Sequence, residues 1–369
     1  MSSYSVFLPS YSIGEDAYKE IPEICEPYGK KAVVIGGKTA MAKSKELLLE
    51  GIKGSNIEIV DFVWFGGDSS YENVELLKRN TSVKNADMVF AVGGGRSVDT
   101  SKTMCDQLGK PLFTFPTIAS NCASITATTV IYDDKHVFKE LYFTKKPAIH
   151  CFINTKIIAE APDHFIWAGI GDALSKEYEC TFSSRGDQLD HTNTLGVDIS
   201  RNCVDPLLKY GRRAYEDVRN NKVSSELGQV ILNIIITTGL VSVLVINDYN
   251  SCLAHSVYYG CTMLEHVEKN HLHGEVVSYG VLVMLTCDKN YKERDRIYSF
   301  NKSMGLPVCL ADIEVEEKDL DTILDKAMET GDIKHVPYKI TRDMIYNAIM
   351  DLEKLKLHNG NPAQVIGHL

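Results

Sequence analysis

Between Ala254 and Leu285 the chain reads AHSVYYGCTMLEHVEKNHLHGEVVSYGVLVML. Two apolar, helix-like segments are joined there by a polar insert that holds His266, His271 and His273, with His255 at its front. Neutral imidazole is the commonest metal ligand in proteins. His255 and His273 therefore read as two arms of a metal site, against the plainer reading of a partly buried histidine-rich turn. A lone acid stands in a second apolar run, Phe165–Glu179, FIWAGIGDALSKEYE, where Asp172 follows Gly169 and Gly171. Burying a carboxylate is costly unless it is paired or bound to a cation. Glycines inside a helix permit close approach of a ligand or of another helix. The alternative for Asp172 is a packing acid bonded to Lys176, one turn on.

A different chemistry is written at Gly93-Gly94-Gly95-Arg96-Ser97-Val98-Asp99, directly after the apolar run DMVFAV. Glycines let a backbone approach a pyrophosphate closely, and a helix start offers unpaired N–H groups and a positive dipole end. The spacing is neither GxGxxG nor a Walker loop, so a tight turn that merely feeds a helix stays open as an alternative. A second glycine turn, Gly36-Gly37-Lys38-Thr39, follows an earlier β-branched run. A dinucleotide site for NAD usually places a carboxylate near such a strand end, to hold the adenosine ribose hydroxyls. Lys38 would instead favour the extra phosphate of NADP, unless it is simply a surface lysine.

The elements that must position these groups alternate in the first half. Strands are expected at Lys31–Ile35, Ile57–Trp64, Asp87–Val92 and Pro111–Pro116, with helices around Ala40–Leu49, Tyr71–Asn85 and Ser97–Leu108. Such alternation implies right-handed crossovers and a parallel sheet, whose ligands bind beyond the carboxyl ends of its strands. After a turn at Tyr132, Asp133 and Asp134 and the apolar run Ile149–Ile153, helices dominate. Leu227–Ile246 is strongly apolar, and a final helix capped at Thr341 is expected to turn Met344, Ile345, Ala348, Ile349, Leu352 and Leu355 inward. The 369 residues favour two domains, with boundaries at 1–160 and 161–369.

A net charge of −10 with no long basic run argues against nucleic acid or an acidic membrane as partner. The first twenty residues lack a basic n-region and a sustained apolar core, so no signal peptide is expected. No run is expected to reach the length of an apolar membrane span. Ten cysteines are scattered from Cys25 to Cys309 without a CxxC, which suits reduced thiols in the cytoplasm.

Taken in order, Gly93–Lys102 (GGGRSVDTSK), Pro116–Tyr132 (PTIASNCASITATTVIY), Gly169–Leu174 (GIGDAL) and His255 with His273-Gly274-Glu275 resemble one family over nearly the whole chain. They are similar to the glycerol dehydrogenase branch of the iron-containing (group III) alcohol dehydrogenases. The resemblance implies a Rossmann-like α/β domain with a parallel sheet, an all-helical C-terminal domain, and the dehydroquinate synthase-like architecture. It implies one divalent metal, zinc first, with iron, nickel or manganese as alternatives. Asp172, His255 and His273 fall on the metal ligands, which are also the catalytic residues. Gly93, Gly94 and Gly95 fall on the pyrophosphate loop, with Asp99 behind it. Thr117, Ser120, Thr126, Thr128 and Tyr132 match further cofactor contacts, and Gly37 and Lys38 stand where the adenosine ribose is held.

Two departures shape the expectation. Ser120-Asn121-Cys122 replaces the S-T-D of glycerol dehydrogenases, so the acid that helps hold a polyol is missing. Cys122 at that substrate position is more like the hydroxycarboxylate dehydrogenase relatives, since loss of an anion removes repulsion against a substrate carboxylate. Gly37 replaces an acid after the first strand, which leans the cofactor, NAD or NADP, toward NADP. The expected activity is a metal-dependent oxidoreduction between a small alcohol, polyol or 2-hydroxy acid, and its carbonyl, in a homo-oligomer. A sugar-phosphate cyclase like 3-dehydroquinate synthase, or a dinucleotide-binding protein without turnover, are the competing classes. His271 is a candidate proton relay, with a surface histidine as its plainer identity.

Overall fold

A computed structural model of the chain describes residues 5–133 and 136–359; Asp134 of the expected turn lies outside them. Eight strands are formed among the described residues: β1 (Ser10–Gly14), β2 (Lys31–Gly36), β3 (Glu58–Trp64), β4 (Met88–Gly93), β5 (Leu112–Pro116), β6 (Thr128–Tyr132), β7 (Phe138–Phe143) and β8 (His150–Asn154). Six of them make one sheet in the order β1-β8-β5-β4-β2-β3, and every pairing in it is parallel. β6 and β7 form a separate antiparallel ribbon.

The central strands β2, β4, β5 and β8 are apolar almost throughout because helices cover both faces. Val34, Phe90, Phe113, Phe115 and Phe152 fill one side, while Val33, Ile35, Val89 and Ala91 fill the other. Phe115 stacks on Phe152 with centroids 4.9 Å apart. Close β2–β4 packing needs Gly36, where a Cβ would lie 2.3 Å from the Val92 carbonyl oxygen.

Several boundaries differ from the sequence reading. β1 was not anticipated: its polar SYSIG sequence lies at a sheet edge, where Ser10 and Ser12 bond the His150 ring. The expected Tyr71–Asn85 helix is two, Tyr71–Arg79 and Thr81–Asn85. Asn80 breaks it by going extended and capping the second piece, its side chain accepting from Val83 N–H.

The chain divides into two units, Met1–Ile166 with Lys209–Leu244, and Trp167–Leu208 with Val245–Leu369. The second unit's described regular elements are all helical. Lys209–Leu244, expected in the helical half, belongs with the sheet instead. Within it, Ser225–Leu244 also corrects the membrane expectation. It is 20 residues long and apolar enough to cross a membrane, yet 61% of its apolar window is buried inside the protein. Leu227, Val230, Ile231 and Ile235 have no exposed surface, so core packing accounts for the composition. A π-helical turn at Asn233–Thr237 interrupts it.

Candidate active site

Three helices of the second unit bring the metal-ligand candidates together. Asp172 lies midway along Asp163–Ser183, His255 in the first turn of Leu253–Cys261, and His273 opens His273–Cys287. His273 Nε2 is 3.2 Å from Asp172 Oδ1, and His255 Nε2 is 3.8 Å from the same oxygen. One ligand atom from each residue lies within 4.8 Å of the other two, the one such trio found among the described residues. Donors on a tetrahedral ion with bonds of 2.0–2.1 Å stand about 3.3 Å apart. Two imidazole nitrogens and a carboxylate oxygen therefore fit a divalent cation and leave coordination positions for a substrate.

The spacing depends on missing side chains. A Cβ on Gly274 would lie 1.9 Å from the Ala168 carbonyl oxygen and 2.8 Å from Asp172 Cβ. A Cβ on Gly171 would lie 2.4 Å from the Gly274 carbonyl oxygen, and one on Gly280 would lie 2.3 Å from that of Ala254. These contacts let the Asp172, His255 and His273 helices approach backbone to backbone.

Electrostatics suit the same purpose. Burial pushes the Asp172 carboxyl up, but His273 and His255 more than offset this and hold it below the usual carboxylate range. Burial depresses the His255 imidazole, yet the Glu179 and Asp172 carboxylates raise it to about 9. Lys176 bonds the Asn250 carbonyl and side chain at 2.9 and 2.7 Å. Its charge also helps to hold the Asp172 carboxyl down, behind the two histidines.

Sequence reasoning missed Glu179. It has no exposed surface. Its Oε2 accepts from His255 Nδ1–H at 2.6 Å, and its Oε1 accepts from the backbone N–H groups of Cys252 and His255 at 2.7 and 3.0 Å. Its sequence signal was its position seven residues, or two turns, beyond Asp172. His271 is not a surface residue: its side chain is 10% exposed, with Nδ1 2.9 Å from Glu275 Oε1. Glu275 also accepts from Leu272 N–H, capping the His273 helix.

In the first unit, Gly93 takes φ +138°, and a Cβ there would meet Ser97 Oγ at 2.4 Å. Gly93, Gly94, Gly95 and Ser120 line one small cavity with Asn121 and Ile118. Cβ atoms on Gly94 and Gly95 would lie 2.7 Å from Ile118 and 3.0 Å from Asn121, so the turn is kept open by absence of side chains. Thr117 is buried and donates its N–H to the Gly93 carbonyl. Cys122 is half-buried beside them, with its Cβ 3.2 Å from where a Cβ on Gly239 would stand.

Other candidates sit deeper or farther along the sheet. Asp99 is buried and pairs with Lys102 at 2.9 Å, while accepting from Val130 N–H. Burial pushes its carboxyl up despite that lysine. Lys102 Nζ also donates to the carbonyls of Ala123, Thr126 and Thr128, and lies 3.4 Å from Thr126 Oγ1. Asp99, Thr126 and Thr128 thus meet in one buried network beneath the loop. The Arg96 guanidinium covers the Tyr132 ring at 5.1 Å. Gly37 precedes the helix Lys38–Gly51, and exposed Lys38 stands over the Trp64 ring at 4.8 Å.

Comparison with known proteins agrees with these features. The family model for iron-containing alcohol dehydrogenase matches residues 9–152. A glycerol dehydrogenase from Thermotoga maritima is 31% identical over 359 residues, covering 95% of this chain and 96% of that protein. Hydroxycarboxylate dehydrogenase A of Escherichia coli is 28% identical over 333 residues, 88% of this chain and 90% of that one. The crystal structure of a probable glycerol dehydrogenase from Sinorhizobium meliloti superposes with a TM-score of 0.82 at 25% identity, covering 97% of this chain and all of that one. The chain belongs to the iron-containing alcohol dehydrogenase family, in its glycerol dehydrogenase-like branch, and is a metal-dependent alcohol oxidoreductase.

Proposed function

We propose that the chain interconverts a small 2-hydroxy acid or vicinal diol and its carbonyl, with NADP(H) used at least as well as NAD(H) and zinc at Asp172, His255 and His273. The observation that carries this reading is the convergence of those three ligand atoms on one point. A divalent ion held there would supply Lewis acidity, favouring loss of a hydroxyl proton or polarising a carbonyl. Asp172 contributes the one negative charge of the set, and the two neutral imidazoles leave the site net positive toward a substrate oxygen.

The glycine turn Gly93–Gly95 gives a diphosphate close access to the backbone, and Thr117 and Ser120 lie around it. Gly37 and Lys38 favour an added phosphate on the adenosine ribose, with no acid at the turn to repel it. Asp99, Thr126 and Thr128 act from beneath, by holding the loop on Lys102, and Tyr132 shapes the turn through Arg96. Cys122 takes the place of an anion near the substrate and admits a carboxylate. His271, tied to Glu275, is left out of the proton path. A cytoplasmic setting suits ten scattered cysteines, nine of them buried. Exposed Phe7, Leu8, Phe138 and Phe143 support self-association, which light scattering on the eluting protein tests.

The deciding experiment follows cofactor oxidation and reduction by the zinc-loaded protein against glycerol, diols, aldehydes and 2-oxo acids, with both cofactors. The expected result is turnover of 2-oxo acids or diols with NADP(H), lost in His273→Ala together with bound metal. A fully active, metal-free His273→Ala protein would refute the site. A large preference for NAD(H), unchanged in Lys38→Asp, would refute the cofactor reading.

A further inference from the structure

Three N–H donors converge on the Glu179 carboxylate: Cys252 and His255 backbone N–H on Oε1, and His255 Nδ1–H on Oε2. Cys252 is the N-cap position of the Leu253–Cys261 helix and has no side-chain cap of its own. Glu179, from another helix, supplies the missing acceptor. The same carboxylate fixes where the His255 proton sits. With Nδ1–H held by Glu179, Nε2 is the nitrogen that can give up its proton to become a ligand, and it faces Asp172 at 3.8 Å.

We propose that Glu179 is a positioning residue of the metal centre, which holds His255 in the tautomer and orientation that present Nε2 to the ion while anchoring the start of its helix. This rests on the reading of Asp172, His255 and His273 as ligands. A carboxylate is the one common side-chain group of this size that can accept on both sides. Glutamine has a single acceptor oxygen. If that oxygen takes the two backbone N–H groups, its amide N–H₂ faces His255 Nδ1, drives the ring proton to Nε2 and blocks the ligand nitrogen. If the amide flips, its N–H₂ meets two backbone N–H donors. Hydrogen-bonding groups behind metal-bound histidines typically change metal affinity by about 10–100-fold.

The test compares wild type, Glu179→Gln and Glu179→Asp by zinc competition against a chromogenic chelator, with circular dichroism as the check on folding. ¹H–¹⁵N spectra of the ring nitrogens in the zinc-loaded protein, assigned against His255→Asn, give an independent readout. The expected result is zinc binding about 10–100-fold weaker in Glu179→Gln at unchanged helicity, and Glu179→Asp in between because it keeps a carboxylate. In wild type, His255 should carry zinc on Nε2 and a proton on Nδ1. Binding by Glu179→Gln within twofold of wild type overturns the proposal. If that variant does not fold, the wild-type spectrum decides, and zinc on Nδ1 overturns it. Failure of wild type to bind zinc, or equal binding by His273→Ala, would instead sink the ligand assignment itself.

Discussion

Replacing Gly274 by alanine adds one methyl group to a helix crossing and should disable the proposed metal centre. The new Cβ would begin 1.9 Å from the Ala168 carbonyl oxygen. An unstrained carbon–oxygen contact is about 3.4 Å, so the two helices must separate locally by roughly 1.5 Å. Backbone cannot rotate away as a side-chain tip can. The overpacking cost should reach the upper end of the usual range, about 3 kcal/mol. The functional effect should be larger than the loss of stability implies, because His273 adjoins the clash and Asp172 Cβ is its second partner, at 2.8 Å. Moving His273 Nε2 from its 3.2 Å separation from Asp172 by that amount leaves the pair too far apart to share an ion. Activity at saturating zinc should fall about 100-fold or more, as misplacements near 1 Å do. The assay pairs metal content after gel filtration with kcat/KM and thermal unfolding. Gly228→Ala is the control, since nothing lies within 4 Å of a Cβ there. It should keep full activity and gain up to about 1 kcal/mol of stability. A Gly274→Ala protein that retains zinc and activity within threefold of wild type would show that the crossing does not set the ligand spacing.

Cys122→Asp should shift preference from 2-oxo acids toward diols, read as the ratio of kcat/KM values; an unchanged ratio removes the repulsion argument. On the proposed ligand set, zinc would have to displace a proton from His255, held at about 9, so apparent affinity should rise roughly tenfold per pH unit between 6 and 9; a flat profile in chelator competition would contradict this. His150 is lowered by burial from 6.5 to about 4. Between those values the unfolded chain binds a proton that the fold excludes, so stability is full above pH 6.5 and is lost as pH falls toward 4. The loss should amount to up to about 3 kcal/mol, measurable as a falling urea midpoint and diminished in His150→Asn.

The central strands were legible because β2, β4 and β5 are buried on both faces and so read as unbroken apolar runs. The edge strand β1 was not, because a five-residue polar segment becomes a strand only through its pairing with β8. The break at Asn80 depends on a local choice between continuing a helix and capping the next, and the hydrophobic period runs across it. The grouping of Lys209–Leu244 with the sheet was equally hidden, since helical periodicity says nothing about which core a helix joins. At the site, the glycine turn could be read from its place after a strand, whereas the joining of Asp172 to two histidines some 80 and 100 residues away rested on resemblance, not on pattern. Glu179 left almost no trace. In the stretch KEYE it has the look of a solvent-facing glutamate, and only three-dimensional packing shows it enclosed.

The helix Asp163–Ser183 carries both Asp172 and Glu179, one touching the site directly and the other holding a histidine from a different helix. Their separation is fixed by helical pitch at about 10.5 Å along the axis. Point changes among the six intervening positions leave that register intact. A one-residue insertion or deletion would swing one acid by about 100° around the cylinder, so this segment should tolerate rewriting of its letters far better than any change in its length.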